Sequence, residues 1–156
     1  MSEKQPYEIY SERKQKEFYE KYPLCFPNGE PYCGFNCGYG WWPILDKLCA
    51  DITKELEKIP EDDREFAVAQ IKEKFGGLRF YIDWRVRGEL DPIYTLVHEA
   101  ESKCDKICEE CGAPGKKQGG GWVKTRCDKC QEEWEEERRR RDLKWGKNKE
   151  AAKHNV

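Results

Sequence analysis

Histidine is nearly missing from this 156-residue chain, and methionine occurs once. The two histidines, His98 and His154, leave little room for imidazole acid–base chemistry. His98 falls beside the apolar stripe of a helical pattern, where a structural role is the simpler reading. No G-x-S-x-G, H-E-x-x-H or glycine-rich nucleotide fingerprint occurs. The stretch KEKFGGLRFY holds a glycine pair but not the G-x-x-x-x-G-K-[ST] of a phosphate-cradling loop. Neither C-x-x-C pair follows a proline, as the deaminase signature requires. The chain therefore reads as non-enzymatic; a hydrolase using carboxylates is the alternative, and no carboxylate stands out for it. Long apolar runs are also missing. Nothing approaches the ~20 residues of a membrane span, and MSEKQPYEIYSERKQ has no signal-type segment. A cytoplasmic location and no membrane partner are expected.

What is present is charge, aromatic rings and cysteine. Charged residues make up 38% of the chain and aromatics 13%, enough rings to build a core in an otherwise hydrophilic sequence. The formal charge of −2 supplies no global field toward nucleic acid, so any such binding needs a local patch. Nine cysteines in a chain without secretory features favour metal binding over disulfides.

Four pieces follow from the pattern: a polar helix in 1–24, an α+β body in 25–107, a four-cysteine module and helix in 108–145, and a disordered tail in 146–156. Residues 6–22 place Tyr7, Tyr10, Phe18 and Tyr22 near helical spacing after Pro6, as a helix that packs on the body. In WWPILDKLCADITKELEKIP, Leu45, Leu48, Cys49, Ile52 and Leu56 recur at i, i+3 and i+4, with Pro43 in the first turn. Residues 66–85 read as a hairpin turning on Gly76-Gly77, because primed turns need positive φ. Phe75 then faces Leu78, Glu73 faces Phe80, Ile71 faces Ile82 and Ala69 faces Trp84. A further helix starts with Asp91 as N-cap and Pro92 behind it, with Ile93, Leu96, Val97, Ala100 and Cys104 on its apolar side.

The strongest chemical signal is CEECGAPGKKQGGGWVKTRCDKC, a C-x2-C-x15-C-x2-C pattern formed by Cys108, Cys111, Cys127 and Cys130. A two-residue spacer lets both thiolates of a turn reach one ion, and a hairpin in the gap returns the second pair. Four thiolates without a fifth ligand describe a closed structural Zn(2+) site. Spacing leaves zinc ribbon and treble clef equally open. Cys25, Cys33, Cys37 and Cys49 are a candidate second metal set, against the reading that several are small buried hydrophobes. Cys104 is expected in the core.

On the hairpin's outer face, the expected register sets Lys74 against Arg79 and Lys72 against Tyr81, with Arg85 beyond. Like charges directly opposed across strands are destabilising, so an anion should sit there. A neighbouring carboxylate can supply it, or a phosphate, nucleotide, nucleic acid or acidic protein can. In the last helix, Glu135–Arg139, Glu136–Arg140 and Glu137–Arg141 are i, i+4 pairs in the favourable order, with Trp134 and Trp145 as anchors to the cysteine module. Beyond residue 137, eight basic residues stand against two acidic ones, a modest basic tail.

Taken together, CGYGWWPILDKLC, QIKEKFGGLRFYID and CEECGAPG…GGWVKTRCDKC resemble a family of small uncharacterised phage and prophage proteins, over roughly residues 33–134. The resemblance implies an accessory protein with a C-terminal zinc module and no assigned chemistry. By analogy it points to a protein-interaction role on a host factor, with anti-defence action as one form. Two expectations follow. A host-protein binder should show an exposed aromatic patch around Trp41, Trp42 and the first helix. An anion or nucleic-acid binder should use Lys72, Lys74, Arg79, Tyr81 and Arg85. The fold class is α+β: a helix–β-hairpin–helix body, a C-terminal zinc-ribbon or treble-clef-like module, and a terminal charged helix.

Overall fold

In the computed structural model, residues 6–84 and 90–154 are described, and their side chains over 11–83 and 90–149. Helix α1 (Pro6–Lys21) leads through a Pro- and Gly-rich loop to a two-residue strand, β1 (Phe35–Asn36). A 3-10 turn, Tyr39–Trp41, runs into α2 (Trp42–Glu57). The hairpin β2 (Phe66–Lys74) and β3 (Gly77–Trp84) follows, then α3 (Asp91–Cys104). A small hairpin, β4 (Lys116–Gln118) and β5 (Lys124–Arg126), precedes the long α4 (Asp128–His154). The main sheet has the order β1-β2-β3, with β1 parallel and β3 antiparallel to β2. Mixed α and β architecture is as expected. Among the described residues no helix is long and apolar enough to cross a membrane.

Helix α2 buries Leu45, Leu48, Cys49, Ile52 and Leu56, the stripe its spacing dictates. Helix α3 buries Ile93, Val97, Ala100 and Cys104 against it. Asp91 is the first helical residue and Leu90 occupies the cap, one position from the expected boundary; helix ends vary on this scale. His98 is exposed on α3 rather than packed beside its stripe. Helix α1 joins the body through a cluster of rings: Phe18 lies 5.3 Å from Tyr22 and 5.6 Å from Trp42, and Phe35 lies 5.1 Å from Trp42. Such edge-on pairs add about 0.5–1.5 kcal/mol each beyond burial. Asp46 on α2 accepts from Tyr22 Oη at 2.5 Å and Lys21 Nζ at 2.8 Å, closing the end of α1 onto the body. The side chains of Tyr7 and Tyr10 lie outside the described residues. Segment 1–24 is thus packed into the body's core from Phe18 onward.

The hairpin corrects the expected register. Phe75 and Gly76, not Gly76 and Gly77, form the turn, with φ of 53° and 77°. Lys74 pairs Gly77, Glu73 pairs Leu78, Lys72 pairs Arg79 and Ile71 pairs Phe80. A bulge at Ala69 then brings Val68 opposite Ile82 and Phe66 opposite Trp84. From Ile71 to Phe80 the apolar face is as read, because a slip of two keeps those side chains on their side. Phe75, expected on that face, lies in the exposed turn, and beyond the bulge Val68 and Phe66 stand opposite Ile82 and Trp84 in place of the expected Ile71 and Ala69. Ile71, Leu78 and Phe80 are buried. Local turn chemistry favoured the glycine pair; a tertiary contact chose otherwise. Gly76 lies under β5, where an added Cβ would stand 3.3 Å from the Lys124 carbonyl carbon. Thr125 Oγ1 donates to the Gly76 carbonyl at 2.5 Å.

The end of the chain also departs from expectation. Helix α4 continues to His154, so most of 146–156 is helix rather than disordered tail. From Glu135 to Lys149 it is exposed on every side. Glu136–Arg140 closes at 3.0 Å, whereas Glu135 accepts from Gln131. Trp134 lies against Arg126, but Trp145 is exposed and anchors nothing in the cysteine module.

The tightest joint in the molecule is where the turn before α2 meets the segment after α3. A Cβ on Gly40 would run into the backbone carbonyls of Cys108 and Glu109. Backbone cannot yield there as a flexible side chain can. Gly40→Ala is expected to lower stability by roughly 3 kcal/mol or more, whereas Gly146→Ala on exposed α4, with open space around it, should leave stability unchanged or raise it by up to about 1 kcal/mol. Thermal denaturation followed by circular dichroism distinguishes the two.

Candidate metal centre

Cys108 follows the loop that ends α3, and the next residues fold into a knuckle. The amide of Gly112 donates to the Cys108 carbonyl at 2.9 Å, and Gly112 takes φ 81°, which a residue with a Cβ resists. The Cys108 amide donates to Ala113 at 2.7 Å and that of Gly115 to Lys106 at 2.8 Å, pinning the knuckle to the chain that enters it. The β4–β5 hairpin then carries the chain out and back. Cys127 immediately precedes α4, and Cys130 lies in its first turn, its amide 3.4 Å from Cys127 Sγ.

This arrangement brings all four sulfurs within 4.8 Å of one another, with Cys111 and Cys127 Sγ 3.7 Å apart. A tetrahedral ion with sulfur ligands at about 2.3 Å needs sulfur–sulfur edges of about 3.8 Å. The donor set therefore fits a metal ion. Cys108 is fully buried, Cys127 and Cys130 are half-buried and Cys111 is exposed. The centre lies under the surface, with one ligand at its rim.

Electrostatics prepare the site. Burial pushes the Cys108 thiol up, but backbone amides of Cys127, Cys111 and Glu110 outweigh it and bring the thiol down to about 7. Burial and the three neighbouring sulfurs push Cys130 up. Four thiolates this close repel one another, and a divalent cation removes that repulsion. Cys127 and Cys130 also sit at the N-terminus of α4, whose dipole favours thiolate.

The other cysteines do not assemble. Among the described residues, the single group of three or more His, Cys, Asp or Glu positioned for an ion is the one above. The candidate set of Cys25, Cys33, Cys37 and Cys49 is corrected on that ground. Cys25 and Cys49 are core residues, with Cys25 Sγ 3.6 Å from the Cys49 carbonyl. Cys33 is exposed on the loop, its amide bonded to Ala69. Burial, with Glu109 and Cys104 nearby, pushes the Cys37 thiol well up. Cys104 is buried as expected, its thiol pushed up to about 12 by that burial.

The outer hairpin face is the second site the sequence singled out. Lys72 and Arg79 are direct cross-strand neighbours and are half-buried; Lys74 and Tyr81 are exposed. The pairing is Lys72 with Arg79, not Lys74 with Arg79, because of the turn's position. Lys72 Nζ lies 5.7 Å from the Tyr81 ring centre. Arg85 lies outside the described residues. Carboxylates around the hairpin are already engaged: Glu73 holds Lys124 at 2.6 Å, Asp105 holds Lys117 at 2.7 Å, and Glu101 accepts the Phe80 amide at 3.3 Å. Among the described residues, no ion pair forms at Lys72, Lys74 or Arg79.

Two residues that sequence reading passed over prove important. Glu109 is buried between the cysteine ligands. Its Oε1 accepts the Gly38 amide at 2.9 Å, and Lys124 Nζ stands 3.9 Å from Oε2. Burial raises its pKa. Trp122, in the β4–β5 turn, is 71% exposed, as is Phe75 in the β2–β3 turn. A charged residue between two cysteines and a lone tryptophan after three glycines carry no periodicity that would mark them.

Replacing one ligand tests the centre. Cys127→Ala is expected to abolish stoichiometric metal and to lower the melting temperature of the whole chain, since the body is docked on the knuckle. Metal content by elemental analysis and thermal denaturation check this together; unchanged metal content would sink the assignment. The wild type should release its metal as pH falls, because protons compete for the ligating thiolates. No family model matches the chain, and no curated protein and no solved structure is significantly similar to it.

Proposed function

We propose that this is a non-enzymatic binding protein, stapled by one structural Zn(2+), that takes a phosphate-bearing anion on the outer face of β2–β3. Four sulfur donors with no open position suit zinc in a structural role. The order knuckle, hairpin, helix favours a treble-clef-like module over a ribbon of two knuckles. Zinc here would be held by Cys108, Cys111, Cys127 and Cys130 and would supply folding energy rather than chemistry.

One observation carries the binding reading: Lys72 and Arg79 oppose each other across the strands, and among the described residues neither forms an ion pair with a carboxylate. Such a pair costs stability, which selection tolerates where an external anion repays it. Strand alternation reinforces the point. Glu73 points inward to Lys124, while Lys72 and Lys74 share the other face with Arg79. The aromatic patch expected for a host-protein partner is used internally: Trp41 is fully buried and Trp42 packs in the ring cluster of α1. A host factor is thereby the second reading.

Arg79→Glu tests both. It puts opposite charges across the strand pair, so stability is expected to rise by about 0.5 kcal/mol, while affinity for nucleic acid or polyphosphate falls at least about tenfold. Wild-type binding should weaken steeply with salt. Fluorescence anisotropy across a salt series reads the affinity, and thermal denaturation the stability. Binding indifferent to salt and to this substitution would overturn the reading and return attention to a protein partner.

A further inference from the structure

We infer that the anion is a single-stranded nucleic acid, with bases stacking on Phe75 and Trp122 while the hairpin's cations hold its phosphates. This rests on the anion-binding face proposed above and names its ligand.

Phe75 is the starting point. It has φ 53°, a left-handed conformation that bulky side chains resist. With Gly76 also at positive φ, the turn has the backbone for which Asn-Gly is the favoured pair. Phenylalanine is a poor choice for that conformation, and burial does not compensate, since the side chain is 71% exposed. Neither backbone preference nor packing accounts for it. A large ring held in solvent on a rigid two-residue turn does make a stacking platform. The turn is rigid because Gly76 is clamped on β5 through Thr125, and Glu73 accepts the Gly76 amide at 3.2 Å.

The neighbouring charges match such a ligand. Lys74 Nζ lies 5.5 Å from the Phe75 ring centre and Lys72 Nζ 5.7 Å from that of Tyr81, which is 44% exposed. Twice on one hairpin, then, a cation without a carboxylate partner among the described residues stands beside an exposed ring. Cation beside ring is the pairing that a base and its phosphate require. A second exposed ring lies close by. The clamp sets Gly76 against the backbone of Lys124 and Thr125, two to three residues from Trp122. The tip of β2–β3 therefore lies against the start of β5, just after the turn that carries Trp122, and each of the two turns presents an exposed aromatic side chain. A duplex keeps its base faces stacked on one another and offers such rings nothing, so the fit is to a single strand.

Binding of an oligothymidylate of about a dozen nucleotides, of the duplex formed with its complement, and of inorganic polyphosphate tests this on the full zinc-loaded chain. The wild type is expected to bind the single strand at least about tenfold more tightly than the duplex. Phe75→Asn supplies the turn's preferred residue, so the melting temperature should hold or rise. Its affinity for the single strand should fall about tenfold, with polyphosphate affinity unchanged. Trp122→Ala should fall in the same direction, and Phe75→Trp should retain binding. Equal affinity for single strand and duplex, or a Phe75→Asn variant that binds the oligothymidylate like wild type, would overturn the inference. Polyphosphate binding that persists in that case leaves the anion-binding face standing. Failure of the wild type to bind any of the three ends both readings.

Discussion

The turn Gly38–Trp41 sits against the first cysteine knuckle with no space between the backbones, and most of the architecture depends on that contact. The Gly40 amide donates to the Glu109 carbonyl at 2.7 Å, the Gly38 amide to its carboxylate, and Trp41 Nε1 to the Ile107 carbonyl at 2.8 Å. Three donors from the turn before α2 thus meet acceptors on Ile107, just before the first cysteine, and on Glu109, between the first two. Only glycine permits backbones to approach this closely, so GYGW is read through its missing side chains as much as through its tryptophan. Because the knuckle is one wall of this joint, whatever holds the four sulfurs together also supports the turn that leads into α2. A metal ion bound there would couple its binding to the stability of the body.

A second joint lies at the far end of the hairpin. Thr125 is fully buried, and its hydroxyl is given to the Gly76 carbonyl; Lys124 beside it reaches Glu73. This contact selects the Phe75-Gly76 turn over the glycine pair that local preference favours. It also sorts charge. The acid of KEK is drawn inward to the cysteine module, while the two lysines are left outside with Arg79. A half-buried ion pair beneath the sheet, and a cationic face above it without ion pairs among the described residues, have one cause. The strained, exposed Phe75 sits at the edge of that face, so backbone strain, uncompensated charge and aromatic exposure coincide within one hairpin.

Helix α4 obeys a different logic. Past Trp134 it touches little, and its Glu-to-Arg spacing explains how it persists in water. Its first turn supplies Cys130 and the dipole beneath Cys127, and there its structural duty ends. Arg126 stacks 4.9 Å from the Trp134 ring centre, linking the second cysteine pair to the helix it opens. The exposed remainder carries the excess of basic charge.

The sequence by itself determined what depends on short range. Helical stripes in α2 and α3 follow from spacing alone, since a 3.6-residue period commits one face to the core. The cysteine centre was legible because two-residue spacers and a glycine after Cys111 dictate a knuckle wherever they occur. The apolar face of the hairpin was legible from Ile71 to Phe80 for the same reason, as alternation survives a slip of two, but not at Phe75 or beyond the bulge at Ala69. Tertiary structure alone decided the rest. It placed the turn at Phe75, because the Thr125 contact outweighs the preference for two glycines. It sent Cys25 and Cys49 into the core and left Cys33 outside, because four thiols distant in sequence meet only if the intervening chain brings them together. It buried Trp41, because the close approach at Gly40 draws its turn beneath the knuckle, and left Trp42 half-buried against Phe18 and Phe35. Residue type and spacing specify which groups can do chemistry; long-range packing specifies which are brought together and which are left facing solvent.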